Sequence, residues 1–417
     1  MREYRLSVAD KGWSWVVMAG SFGAHMIAGS FQCAVGVIHN AILERFNEDV
    51  GKTSWASSVY LGMLSVIGVL ASALINLYSC RVTMFIGAFL MTTGFVICAL
   101  VPSLDLFIIF FGGLGGIGTG LTYAASVVIL GFNFRQNRNI ACGIAVSGAG
   151  VGTLVLTPVI EAAREEYGNS GFFFIIAGIA FHQAFFGFLF FPSELESEQK
   201  ESRHRNTISK HKHAVVNNVL HSIAILKNIP MLCICISMFF ACAGVYLMYV
   251  LFPNYVIQMG SSSLDASFLL SVSGVFDCIG RFLTGIVAHD ENIDELVIYF
   301  GSFGVLGLST LLFPLYGSTY GGQLAYAVFL GLYSGSCYSV INTLIVQLVG
   351  LKELATGFGA CLFFCGVGSL LGPPAAGSCI TTAAVLGLAV AYCKKPEEAF
   401  AANNPEIPTV SKTVTTE

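Results

Sequence analysis

Apolar residues run through the chain in long blocks separated by short polar breaks. A helix that crosses a bilayer needs about 20 predominantly apolar residues, at a rise of about 1.5 Å per residue. Runs of that kind fall near 13–38, 55–77, 82–101, 105–130, 140–161 and 171–192. A second set falls near 230–257, 266–288, 296–316, 319–348, 354–377 and 378–393. The pattern predicts an all-α, polytopic membrane protein of about twelve transmembrane helices in two six-helix halves. The halves occupy 1–192 and 229–393, joined by a linker at 193–228 and followed by a tail at 394–417. The linker holds Glu194, Glu196, Glu198, Lys200, Arg203, Arg205, Lys210 and Lys212 with almost no aromatic residue, so it reads as solvated. The last run, Ser378 to Cys393, is short of the usual ~20 residues and has no loop before it, so an atypically short final helix is expected.

Composition closes off other classes. Hydrophobic residues make up 55% of the chain and charged residues 11%, against about 25% charged in soluble domains. Lysine and arginine favour cytoplasmic loops. With both termini cytoplasmic, sixteen of the twenty basic residues lie on inner segments; the outer loops hold only Arg45, Lys52 and Arg164, and Arg281 sits inside a span. No basic tract interleaved with aromatics suggests a nucleic acid. The thirteen cysteines are scattered through apolar runs, with no disulfide framework and no metal-ligand spacing. No cofactor motif stands in a soluble context, and no catalytic triad, carboxylate pair or HExxH is recognisable, so an enzyme is not expected. The opening residues lack a cleavage site and do not read as a signal peptide. No Asn-x-Ser/Thr acceptor is present.

One span breaks the apolar rule in its middle. Ser271 to His289 carries Asp277 and Arg281, four residues apart and therefore on one helix face. Buried charges in a membrane face a bundle interior or a watery cavity. The pair is either an ion pair that locks helices or a midplane site for a substrate or proton. A guanidinium forks onto two oxygens, which makes Arg281 the candidate receiver of a carboxylate. Asn342 and Gln347 in the tenth run could bond a substrate or another helix. His25, His39 and His182 lie in or near spans, where a lone histidine usually bonds a neighbouring carbonyl and less often relays protons. Gly113 to Gly118 fits a dinucleotide pattern, but inside an apolar run it reads as helix packing.

Three further stretches carry a signature. Asp10-Lys11-Gly12-Trp13-Ser14-Trp15 precedes the first span. Asn133-Phe134-Arg135-Gln136-Asn137-Arg138-Asn139-Ile140-Ala141-Cys142-Gly143 opens the fifth, and Gly366 to Gly377, with Gly372-Pro373-Pro374, closes the eleventh. With the Asp-x-x-x-Arg of the eighth span, these resemble the monocarboxylate transporter family of the major facilitator superfamily over roughly residues 10–377. The matched positions are Asp10, Gly12, Trp13, Trp15, Phe134, Arg138, Ala141, Gly143, Gly372, Pro373 and Pro374.

The resemblance implies a secondary transporter for a small carboxylate or related organic solute, rocking between two faces of the plasma membrane. It also leaves room for a single-span accessory subunit, and implies substrate contacts at Arg281 and Asp277, to which Asn342 is added as a candidate contact from its place in the tenth run. In the family's proton-coupled lactate carriers a first-span lysine works with the eighth-span pair. Here that place looks like Cys33, beside Gln32, and no lysine lies between Lys11 and Lys52. The chain is therefore similar to the family's divergent branches, and facilitated diffusion or weak proton coupling is expected. The alternatives are a non-transporting relative of the same fold and a carrier of an unrelated solute.

Overall fold

Inside hydrocarbon every backbone polar group needs an internal partner, so each apolar run has to close on itself as a helix. The computed structural model describes residues 9–33, 35–191, 193, 196–197, 222–290 and 292–371, and the described residues are helical with no strand. The first half comprises α1 (Trp13–Cys33), α2 (Val35–Phe46), α3 (Val50–Val66), α4 (Gly68–Leu77) and α5 (Cys80–Leu100). It continues with α6 (Leu104–Asn133), α7 (Arg138–Gly168) and α8 (Gly171–Leu189). The second half comprises α9 (Ile229–Gln258), α10 (Ser263–Val287), α11 (Glu295–Tyr316), α12 (Tyr320–Ser334), α13 (Cys337–Val349) and α14 (Leu354–Leu371).

Nine stretches among the described residues are long and apolar enough to cross a membrane, and α3 with α4, bent by 42°, makes a tenth. The 21-residue α1 is less apolar because Ser14, Ser21, His25, Ser30 and Gln32 interrupt it. The expected short twelfth helix at 378–393, Gly372, Pro373 and Pro374, most of the linker and the tail lie outside the described residues.

The expected runs and the observed helices differ in two places. The run at 55–77 bends at Ile67, between α3 and α4. The run at 319–348 is two helices, broken at Gly335-Ser336. Gly/Ser pairs weaken the helix ladder, and the Ser336 hydroxyl bonds the Leu332 carbonyl at 2.6 Å instead of leaving that turn to the backbone.

The ends of the bundle sort cleanly. At the linker end, Trp13 Nε1 donates to the Leu189 carbonyl at 3.1 Å and Glu196 accepts the Cys80 amide at 2.8 Å, capping α5. The Asp10 carboxylate accepts the amides of Arg135, Gln136 and Asn137 at 2.8–3.0 Å, ahead of the N-terminus of α7, where a negative charge is favoured. Trp15 packs edge-on against Phe134, with centroids 5.3 Å apart. The two signatures of the first half thus clasp each other.

At the far end, Arg45 donates to the carbonyls of Cys98, Ala99 and Val101 and so caps the end of α5. Arg164 binds Glu44 and Glu161, and Lys52 binds Glu48 and Asp105.

Between the ends, Tyr60, Phe95, Phe107 and Phe111 stack into an aromatic core of the first half. Within the Gly113–Gly118 stretch, a methyl on Gly118 would lie 2.6 Å from the Gly87 carbonyl oxygen, so the stretch serves close packing of α5 on α6.

Candidate functional site

The two halves meet along α7 against α10 and along α4 and α3 against α14. At the linker end these contacts are tight. Asn139 Nδ2 donates to the Ala288 carbonyl at 2.6 Å and to Glu295 Oε1 at 3.0 Å, while its Oδ1 accepts from the Thr343 hydroxyl. Gln347 Nε2 donates to Glu295 Oε2 at 2.9 Å. A turn further in, Gly143 faces Gly285 so closely that a methyl on Gly143 would lie 2.7 Å from the Gly285 Cα. On the other flank Asn76 Nδ2 reaches the Thr356 hydroxyl at 3.0 Å. Beyond Gly150 and Cys278, α7 and α10 part, and residues such as Thr153, Thr157, Gly274 and Leu270 face a shared space.

That space is a cavity of about 660 Å³ between the halves. The first half supplies His25, Gln32, Tyr123 and Thr153; the second supplies Met238, Cys242, Tyr246, Tyr249, Phe303, Cys337, Tyr338 and Cys365. Asp277 and Arg281 lie in its wall, each with a side chain 14% exposed. Apolar and aromatic walls with a few convergent polar groups are the usual make-up of a small-molecule site.

The charged pair is held from several sides. Arg281 Nε donates to Asp277 Oδ2 at 2.8 Å across one helical turn. The guanidinium carbon lies 5.4 Å over the Tyr338 ring, and the Ser339 hydroxyl donates to the Arg281 carbonyl at 2.8 Å. Neither Nη group is bonded among the described residues, and Asp277 Oδ1 has no partner there either. Gly335, at the break between α12 and α13, is what lets the pair seat. A methyl there would overlap both Asp277 Oδ1 and Arg281 Nε. The break in the tenth run and the ion pair of the eighth are one construction.

His25 faces the pair from the other half. It is fully buried, its Nδ1 lies 2.8 Å from the Ser21 carbonyl, and its ring meets Tyr123 edge-on at 5.2 Å. Ser21 in turn donates to the Ser126 carbonyl at 2.7 Å, tying α1 to α6.

The expected site residues do not all converge. Asp277, Arg281 and Gln32 line the cavity. The Cys33 side chain lies outside the described ones. Asn342, expected as a substrate contact, is corrected by its surroundings. It has no exposed surface, and its Nδ2 donates to the Val127 carbonyl at 2.8 Å and to Cys142 Sγ at 3.3 Å. Its side chain is committed to helices α6 and α7 of the first half, away from the cavity wall. Asp10, Gly12, Trp13, Trp15, Phe134 and Arg138 sit at the linker end, where Arg138 donates to the Phe134 carbonyl at 3.1 Å. Ala141 is buried and Gly143 is at the contact between halves. Tyr123, Tyr338 and Gly335 went unnoticed in the sequence because nothing in their spacing marks them as neighbours of Arg281.

Residues 20–373 match the Major Facilitator Superfamily. The chain belongs to that superfamily. Among its relatives it is 25% identical to monocarboxylate transporter 12 of Homo sapiens over 408 residues, 93% of this chain and 79% of that protein. To monocarboxylate transporter 4 of Gallus gallus it is 26% identical, over 93% of this chain and 85% of that one. It is thus a divergent relative of the monocarboxylate transporters. Its fold resembles that of the superfamily's proton:xylose symporter XylE at a TM-score of 0.67 and 14% identity, covering 92% of this chain and 95% of that one. As a member of the superfamily it is a multi-pass membrane protein of a transporter family, not an enzyme.

Proposed function

We propose that the chain carries a small organic carboxylate across the plasma membrane by alternating access, with both termini and the linker cytoplasmic. One observation carries the reading. Arg281 is fixed by Asp277 through Nε alone, leaving its two Nη groups toward a cavity between the halves. That is the fork a carboxylate fits. Asp277 neutralises Arg281 while the cavity is empty and keeps an uncompensated charge out of the membrane. The tight contacts at the linker end support a conformation closed on the cytoplasmic side. Because no lysine stands on α1, the described lining of the cavity holds no second fixed cation, and this supports facilitated or weakly proton-coupled movement. The resemblance to the monocarboxylate transporters also makes a single-span accessory subunit part of this reading.

The test is uptake in oocytes or vesicles of labelled lactate, pyruvate, an aromatic amino acid, a thyroid hormone and creatine, at about pH 6 and 7.5. Saturable uptake of a carboxylate with little pH dependence is expected. Arg281→Ala is expected to lower it by about thirtyfold or more with surface delivery intact, the order of a lost buried charge pair. Near-normal uptake in that variant would sink the assignment. No uptake of any carboxylate by surface-delivered wild type would overturn the reading in favour of a non-transporting protein or a carrier of another solute.

A further inference from the structure

His25 has a feature that the charged pair does not explain. Its Nδ1 lies 2.8 Å from the Ser21 carbonyl oxygen, which can only accept, so Nδ1 carries the ring proton. In the neutral ring Nε2 is then an acceptor, and no group among the described residues donates to it. The bond to the Ser21 carbonyl holds the ring in this orientation, with Tyr123 edge-on at 5.2 Å and the Ser21 hydroxyl itself bonded to the Ser126 carbonyl. In its neutral form His25 therefore places an acceptor in the wall of the same cavity as Arg281, from the opposite half.

A buried acceptor left without a donor costs free energy, whether the cavity is empty or filled. Nε2 has essentially no exposed surface in this form, so water, or a substrate donor in its place, reaches it only as the wall around it gives. A substrate that displaces that water has to replace its hydrogen bond or lose affinity. Of the other unpartnered polar atoms in the cavity wall, Asp277 Oδ1 is also an acceptor, while the Thr157 hydroxyl can donate or accept. Arg281 supplies the donors for a carboxylate; His25 Nε2 asks for a donor in return.

We infer that His25 is a specificity-determining residue that selects carboxylates bearing an O–H or N–H donor over those bearing none. The inference rests on the carboxylate reading of Arg281 and deepens it. Arg281 holds the carboxylate, and His25 Nε2 accepts from a hydroxyl or ammonium elsewhere on the same molecule. A bond from the second half to one end of the substrate and from the first half to the other spans the two halves.

The full-length protein is assayed with two matched series. The small one is lactate, alanine, propanoate and pyruvate; the large one, chosen because the cavity measures about 660 Å³, is phenyllactate, phenylalanine, phenylpropanoate and phenylpyruvate. Within whichever size is carried, the hydroxy or amino acid is expected to exceed both donorless analogues by about tenfold in kcat/KM, the order of one unsatisfied buried group. The two arms tell hydroxyl from ammonium. His25→Leu is expected to abolish the preference while donorless carboxylates are still carried, and His25→Gln, which keeps an acceptor, to restore part of it. A merely structural role would lower all substrates together.

Equal uptake of all four members by wild type would overturn the role of His25 while leaving Arg281 as the carboxylate site. Preserved discrimination in His25→Leu would do the same. Absence of all carboxylate uptake from surface-delivered wild type would remove both readings. The wild-type series decides the matter even where a variant fails to reach the membrane.

Discussion

Gly335 carries more of the site than its size suggests. Its missing side chain is the space in which Asp277 Oδ1 and Arg281 Nε meet. Gly335→Ala is expected to lower uptake by about tenfold with normal surface delivery, since overpacking of this kind costs roughly 1–3 kcal/mol. Gly113→Ala, where an added methyl meets nothing within 4 Å, is the matched control and is expected to leave uptake unchanged. Loss of uptake in both, or in neither, would show that the ion pair does not depend on that space. At this scale the sequence was legible only within one helix. The four-residue spacing of Asp277 and Arg281 announces the pair, because a turn of helix is local. His25 shows a local partner, Ser21, but its position opposite Arg281 depends on how α1 and α10 pack, and no spacing along the chain encodes that. Asn342 failed for the same reason: a polar residue on an apolar helix needs a partner, and the chain alone does not say whether it is a solute or the Val127 carbonyl.

At the scale of elements, hydropathy located the described spans to within a few residues, because the bilayer imposes a length. What it missed were the breaks, at Ile67 and at Gly335-Ser336, since a broken helix is as apolar as a straight one. The family-like signatures were legible as motifs but not as partners; only the fold brings Asp10 onto the amides ahead of α7. One group of contacts joins elements rather than residues. Asn139 on α7 ties the α10 end to Glu295 on α11 and Thr343 on α13, and Gln347 holds Glu295 from the other side. Asn139→Ala removes three of these bonds and is expected to shift the population away from the form closed at the linker end. Labelling by a membrane-impermeant thiol reagent applied from that end reads the shift. Cys142, buried in this form, is expected to react faster in the variant, whereas unchanged labelling would mean that the close approach of Gly143 to Gly285 suffices to hold the halves.

For the whole molecule, the ends of the bundle differ in what they offer a solute in water. The far end carries Arg45, Lys52 and Arg164, and every one of them is occupied: Arg45 by the carbonyls that end α5, Lys52 and Arg164 by carboxylates. Among the described residues that end also carries Glu44, Glu48, Asp49, Asp105, Glu161, Glu165, Glu166 and Asp265, eight acids to three bases. The cations therefore shape helices and loops, and the rim of that face presents a negative potential to anything approaching from solution. An anionic solute entering there is repelled before it reaches the cavity, and salt shortens the reach of that repulsion from roughly 30 Å at 0.01 M to about 8 Å at 0.15 M. Raising ionic strength at constant osmolarity is thus expected to speed the initial uptake of lactate and to leave that of zwitterionic alanine nearly unchanged. A rate that falls with salt would mean that the acidic rim is not the entrance. If the expectation holds, the mouth of this carrier sorts solutes by net charge, ahead of any contact with the cavity.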